Sequence, residues 1–351
     1  MRARFNSIYV HIGDMKAGST SLQRFLRSGS FRGMNLDVVY PGRAENHSRV
    51  AKALRGRPDG GIMTQILRAQ LALAPRASVC VLSDEHFSVL RPEVMRQFVN
   101  TVLQPFASRV YLVHYVRPHH ARMKSVYAEV VKIGADLRRF QDFVQQSTKR
   151  GRFLKSAAID AWRQQFGDAY IPRPLIREHL AGGDVVTDFL SICTENTVTV
   201  PRTPAENRSL DPTGLAEVQR IHRNIRDRSA SLRLAVGYEF DRLYRKHAAQ
   251  ASDGLKLALS PRNIAGFERR YRQDAIGMDQ RLGLAVHGFA DALTHDMQGA
   301  TAGVTDPFEL TATPTAAAAA AASKGVEPWL HLPLPDRAIG STLSRYTRFR
   351  R

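Results

Sequence analysis

Residues 9–26 read YVHIGDMKAGSTSLQRFL, and the fold turns on how the middle of this stretch is taken. An apolar, β-branched run, SIYVHI at 7–12, leads in, and a helical pattern from about Ser19 to Leu26 leads out. A loop between a buried strand and a helix presents backbone N–H groups at the positive end of a helix dipole, so it binds anions. Gly13 and Gly18 keep the glycine spacing of the nucleotide-binding loop G-x-x-x-x-G-K-[ST], and Ser19, Thr20 and Ser21 supply hydroxyls. The lysine is displaced. It is Lys16, inside the loop, and not the residue after Gly18. An ammonium there is expected over the outer edge of the loop, near a terminal group in transit.

Outward from this loop the first half alternates strand and helix patterns. LDVVY (36–40), SVCVLS (78–83) and RVYLVHYV (109–116) read as further strands, with helical patterns near 43–56 and 62–73. Such alternation predicts a parallel sheet with helices on both faces, and ligands then collect at the carboxyl ends of the strands. The loops after Ile12, Ser83 and Val116 are therefore the places to look for chemistry. The second half is mostly helical by its three- and four-residue apolar spacing, with a short strand at AYIPRP (169–174). The predicted organisation is one domain over 1–298, with an α/β part at 1–134 and a mostly helical part at 135–298. From 299 to 325 the composition turns to Ala, Thr, Gly and Pro, including seven consecutive alanines at 316–322, and reads as a linker. A basic tail at 326–351 closes the chain.

The balance of 51 Lys and Arg against 32 Asp and Glu, a formal charge of +19, makes anionic partners the default. Arginines are spread along most of the chain, so charge alone does not separate a nucleotide from a glycan, a nucleic acid or a membrane surface. Two cysteines, Cys80 and Cys193, are too few for a disulfide framework, and no H-E-x-x-H occurs among the 12 histidines. No metal site is expected. No apolar run approaches a membrane span, and the N-terminal one is too short for a signal peptide, so a cytoplasmic protein with at most peripheral membrane contact is expected.

The loop resembles that of the sulfotransferases that use 3′-phosphoadenosine-5′-phosphosulfate (PAPS), which reads approximately P-K-[TA]-G-[ST]-[ST]-[SA]-L after the first strand. MKAGSTSL (15–22) is similar at every place except the first, where Met15 stands for proline. A second family motif, R-x-P-x-x-R-x-x-S-x-Y, holds the donor's 3′-phosphate. VRPHHARMKSVY supplies Arg117, Arg122, Ser125 and Tyr127 at its spacing, with the proline one place early at Pro118. A dianionic phosphate needs a fixed cation and a hydroxyl, and an arginine fork offers two bonds at once. LSDEHF (82–87), IREHLAGGDVVTDFL (176–190), NRSL (207–210) and SPRNIAGFERRYRQD (260–274) resemble segments of a bacterial branch related to carbohydrate sulfotransferases. The resemblance spans roughly residues 7–285.

The resemblance implies an α/β, P-loop nucleotide-kinase-like three-layer fold with a helical extension. It implies PAPS as donor and 3′,5′-ADP as product, with Lys16, Ala17, Gly18, Ser19, Thr20 and Ser21 at the 5′-phosphosulfate and Arg117, Arg122, Ser125 and Tyr127 at the 3′-phosphate. It also implies a hydroxylated acceptor, a glycan or glycolipid. Sulfuryl transfer needs a base for the acceptor proton and a cation for the departing oxygen. Lys16 is the cation. For the base, Asp84, Glu85 and His86 follow the third apolar run, with Glu85 favoured and His86 second. Arg262 and Arg269 are candidates for adenine contact. Two rival readings stand beside this one. A P-loop kinase using ATP and Mg²⁺, with Asp84 on the metal, lacks the lysine after Gly18. A non-enzymatic polyanion binder explains the charge but neither motif.

Overall fold

In a computed structural model, the chain is described over residues 3–14, 18–34, 36–56, 60–195, 198, 200, 209–248, 255–299, 303–307, 310, 313 and 315–331. The elements run β1 (Phe5–His11), α1 (Ser19–Ser28), β2 (Val38–Val39), α2 (Ser48–Leu54), α3 (Gly60–Leu73), β3 (Ala77–Ser83), α4 (Pro92–Phe98) and β4 (Ala107–Val116). There follow α5 (His119–Lys132), α6 (Phe140–Lys149), α7 (Ser156–Phe166), β5 (Tyr170–Pro174) and α8 (Val185–Thr194). The helices α9 (Pro212–Asn224), α10 (Ala230–His247), α11 (Pro261–Leu282), α12 (Phe289–Gln298) and α13 (Ala316–Leu330) complete the chain. The α/β class with a central parallel sheet is as expected from the sequence. The strands sit within two residues of their predicted ends, except that β2 shrinks to two residues.

The chain divides into two units, and neither is continuous in sequence. The first comprises Met1–Arg122, Leu154–Asn207 and Gln273–Ala292. Its sheet has the order β2-β3-β1-β4-β5, all parallel. The chain leaves central β1 toward β2 and β3 and returns to its other side with β4, so the topological switch point lies at the carboxyl end of β1. Alternate strand residues face opposite sides. On one face Tyr9, Val79, Val81, Val113 and Tyr115 pack with Leu22 and Leu26 of α1 and Val186, Phe189 and Leu190 of α8. On the other, Ile8, Val10, Cys80, Leu82 and Leu112 are fully buried. Strands buried on both faces read as the continuous apolar runs seen in the sequence.

α1 forms because Leu22 and Leu26, one turn apart, both reach this core, each worth roughly 1.5–3 kcal/mol of burial. Its start is set by Gly18, whose φ of 78° is left-handed and whose added Cβ would stand 2.9 Å from Val185 Cγ1. A side chain at 18 would be strained and would strike α8.

The second unit comprises Met123–Phe153, Arg208–Arg272 and Leu293–Arg351. The 1–134 and 135–298 boundary read from the sequence does not match either unit. Here α9, α10 and α13 pack together, and the C-terminal part of α5 meets α10 so closely that a Cβ on Gly237 would collide with the Lys132 carbonyl. His222 reaches the same carbonyl at 2.8 Å. The linker expected over 299–325 is corrected from Ala316 onward. The alanines are helix, with Ala318, Ala319, Ala322 and Val326 buried. Alanine is the best helix former, and its small side chain admits close helix packing. Beyond residue 331 the predicted tail lies outside the described residues. No helix among the described residues is long and apolar enough to cross a membrane.

Candidate active site

Sheet register places two of the predicted loops side by side. His11 pairs with Ser83, and the Asp84 N–H donates to the His11 carbonyl at 3.2 Å. The β1 loop then follows the end of β4, with Ile12 N–H to Val113 O at 2.9 Å and Asp14 N–H to Tyr115 O at 3.1 Å. Gly18 is the N-cap of α1, where no side chain among the described residues caps the helix and the first turn holds no acidic residue. The dipole and free N–H groups of that turn remain available to an anion. Ser19 is 2% exposed, and its hydroxyl has no hydrogen-bond partner among the described residues. Thr20 and Ser21 are exposed on the same turn, while Lys16 and Ala17 lie outside the described residues.

The sequence reading missed Asp14, a carboxylate inside a loop built for anions. It is fully buried, and its Oδ1 lies 2.6 Å from Lys155 Nζ, 3.3 Å from an Arg122 terminal nitrogen and 3.7 Å from His114 Nε2. Burial alone would raise its pKa. Arg122 and Lys155, with His114, overturn that and hold the carboxyl well below the ordinary range. Burial in turn lowers Lys155, partly offset by Asp14, and lowers His114. Lys155 is held in place through its backbone. Its N–H donates to Asp274 at 2.8 Å, and Asp274 also accepts from Ser156 N–H and hydroxyl (3.0 and 2.6 Å) and bonds His119 Nε2 at 2.8 Å. The available signal was the charge conflict itself, since an acidic residue in such a loop demands cations from elsewhere.

At the end of β3, Asp84 caps a short 3₁₀ turn, Glu85–Val89. Its Oδ1 accepts the His86 backbone N–H and meets His86 Nδ1, both at 2.8 Å. A carboxylate so placed takes the proton on Nδ1 and leaves Nε2 as the acceptor of the ring. Asp84 is 1% exposed and the His86 side chain 31%, so an oriented imidazole stands at the edge of the sheet. Glu85 is half-buried on the same turn, its carbonyl accepting from the Ser88 hydroxyl at 2.8 Å.

The second motif is divided. Arg117 is half-buried, directly after β4, and Arg122 is committed to Asp14; both belong to the first unit. Ser125 and Tyr127 lie on the part of α5 that belongs to the second unit, and both are buried. Tyr127 packs against Phe140 and Phe143, with ring centroids 5.0 and 5.2 Å away, and its hydroxyl donates to the Arg138 carbonyl at 3.1 Å. Arg122 and Tyr127 thus each hold a structural contact within their own unit. Arg262 and Arg269 are exposed on α11 in the second unit. Both cysteines are buried thiols, and no cluster of three metal-ligating side chains occurs among the described residues.

No protein-family model matches the chain, and no curated protein matches it. Among solved structures it is similar to a sulfotransferase from Alicyclobacillus acidocaldarius, at 14% identity and a TM-score of 0.48, over 84% of this chain and 99% of that one. A likeness of that degree fixes neither activity nor substrate.

Proposed function

We propose that the chain is a sulfotransferase that moves a sulfuryl group from PAPS to an acceptor hydroxyl, by in-line displacement that needs no metal. The observation that carries the reading is the start of α1, uncapped and with a buried Ser19 hydroxyl unpartnered among the described residues, beside the Asp84–His86 pair at the next strand end. The residues present fit the donor: the α1 start takes the 5′-phosphosulfate, and the sequence motif assigns Arg117 and Ser125 to the 3′-phosphate. Lys16 supplies the cation for the departing oxygen. We assign the base to His86 ahead of Glu85, because Asp84 fixes its tautomer and leaves Nε2 to accept the acceptor's proton. The acceptor class, a carbohydrate or glycolipid, rests on the sequence resemblance alone.

Calorimetric titration tests the donor. The protein should bind 3′,5′-ADP several hundred-fold more tightly than 5′-AMP, since each charge-assisted hydrogen bond to the 3′-phosphate is worth about 1.5–3 kcal/mol. Arg117→Ala should shrink that preference by weakening 3′,5′-ADP alone, whereas Lys16→Ala should weaken both nucleotides. Equal affinity of the unaltered protein for the two would sink the PAPS assignment.

A further inference from the structure

We infer that His11 is a neutral hydrogen-bond donor to the anion held at the start of α1, kept in its Nε2–H tautomer by Ser83 and Gln23. The inference rests on the anion-binding reading of the β1 loop. His11 is fully buried at the end of β1, and its Nε2 has no hydrogen-bond partner among the described residues. Ser19 Oγ, also buried, is in the same condition. Both face one small space: a Cβ on Gly13 would stand 2.7 Å from His11 Nε2 and 3.2 Å from Ser19 Oγ. Two buried polar atoms around a position that only glycine leaves open, next to an uncapped helix start, make a cradle and not a packing fault. Buried polar groups are almost always satisfied, so a pair converging on one gap implies a ligand group between them.

The tautomer follows from the hydrogen bonds on the other side of the ring. His11 Nδ1 lies 2.8 Å from Ser83 Oγ, and Gln23 Nε2 donates to that oxygen at 3.2 Å. With the amide donating, His11 Nδ1 is the one acceptor among the described residues within reach of the serine's own proton, and we assign that proton to it. Nδ1 is then an acceptor, and the ring proton sits on Nε2, facing the cradle. Burial, with His114 adding to it, lowers the pKa of His11 to about 3, so the ring stays uncharged near neutrality. Such a donor binds an anionic oxygen without adding charge and without titrating at working pH. Lys16 then remains the one loop cation whose charge responds to the departing group. The chain Gln23–Ser83–His11 joins α1, β3 and β1, so the donor direction is set by the sheet itself.

The test is ¹⁵N NMR of the histidine rings, with calorimetric titration of inorganic phosphate and of 3′,5′-ADP. In the free protein His11 should show a protonated Nε2 and an unprotonated Nδ1, and the Nε2 signal should move when either anion is added. His11→Gln, whose amide nitrogen can stand near the Nε2 position, should bind both anions within about threefold of the unaltered protein. His11→Asn reaches only the Nδ1 position and should bind both about tenfold or more weakly. Melting curves of the two variants separate binding loss from unfolding, and the NMR result needs neither variant. A ring protonated at Nδ1, or an Asn variant that binds like the unaltered protein, overturns the role of His11 while leaving the loop reading intact. If neither anion binds the unaltered protein, the loop reading fails and this inference fails with it.

Discussion

Removing the Asp14 carboxylate should destabilise the first unit by about 3–5 kcal/mol, the range for breaking a buried ion pair from one side. The structure supplies the reason for the upper part of that range. Asp14 is fully buried, and the Lys155 and Arg122 side chains that meet it are only 12% and 14% exposed. Asp14→Ala would leave two cations in a nearly dry site, against a typical total stability of roughly 5–15 kcal/mol. Asp14→Asn keeps an acceptor for Lys155 but not the charge and should lose less. Because Lys155 is the nearest partner, Lys155→Met should offset part of the loss. The Asp14→Asn, Lys155→Met pair should cost about 1–3 kcal/mol less than the sum of its single changes. Urea unfolding read by Trp162 fluorescence reports on this unit, in a Trp329→Phe background that silences the tryptophan of α13. The pH dependence carries a sign as well. The folded-state pKa of Asp14 is depressed, so its contribution is present above the ordinary aspartate value and is lost as pH falls below it. The gap between the unaltered protein and Asp14→Asn should therefore be full at pH 7 and narrow below about pH 4. Additive single changes, or a loss under about 1 kcal/mol for Asp14→Ala, would refute the account of a charge-neutralised loop.

Three further outcomes follow from the same geometry. His86→Gln should lower turnover about 10²–10⁴-fold with 3′,5′-ADP affinity retained, and Glu85→Gln should do so only if the roles assigned here are reversed. Transfer from PAPS should survive EDTA; loss on chelation with recovery in Mg²⁺ would favour the kinase reading. Burial lowers His11 to about 3 and His47 and His222 to about 4. Their folded-state pKa values lie below the ordinary 6.5, so stability is lost as pH falls through that value. Each should cost about 2 kcal/mol by pH 5, and a melting temperature unchanged between pH 7 and pH 5 would contradict their burial.

The parts of this structure that were legible in the sequence are those where one local pattern has one physical solution. β1, β3 and β4 are buried on both faces, so they read as unbroken apolar runs, and the glycine-bounded loop after β1 announces an anion site. What was hidden depends on distant partners. Nothing near Asp14 in sequence shows that Lys155, 141 residues on, would neutralise it. Tyr127 matched a motif spacing, and the same spacing along a helix also points a residue into a core; its packing on Phe140 and Phe143 could not be read from the motif. The dyad was half visible: D-E-H placed both groups at a strand end, but which of Glu85 and His86 meets Asp84 depends on how the 3₁₀ turn folds.

The alanine tract of α13 carries no address of its own. Seven identical side chains could slide along their groove by a residue and offer the neighbouring helices the same methyl groups, so the register must be written elsewhere. It is written after the tract, where Ser323 donates to Glu217 at 2.6 Å, Gly325 lets Leu243 approach, and Val326 is fully buried. Ahead of the tract Thr315 is fully buried and the Thr313 hydroxyl meets that of Thr213 on α9 at 2.9 Å, so the helix is keyed at both ends. A gained or lost alanine would therefore pull one of the two anchors out of place. The length of the tract is thus set by what flanks it and not by its own side chains.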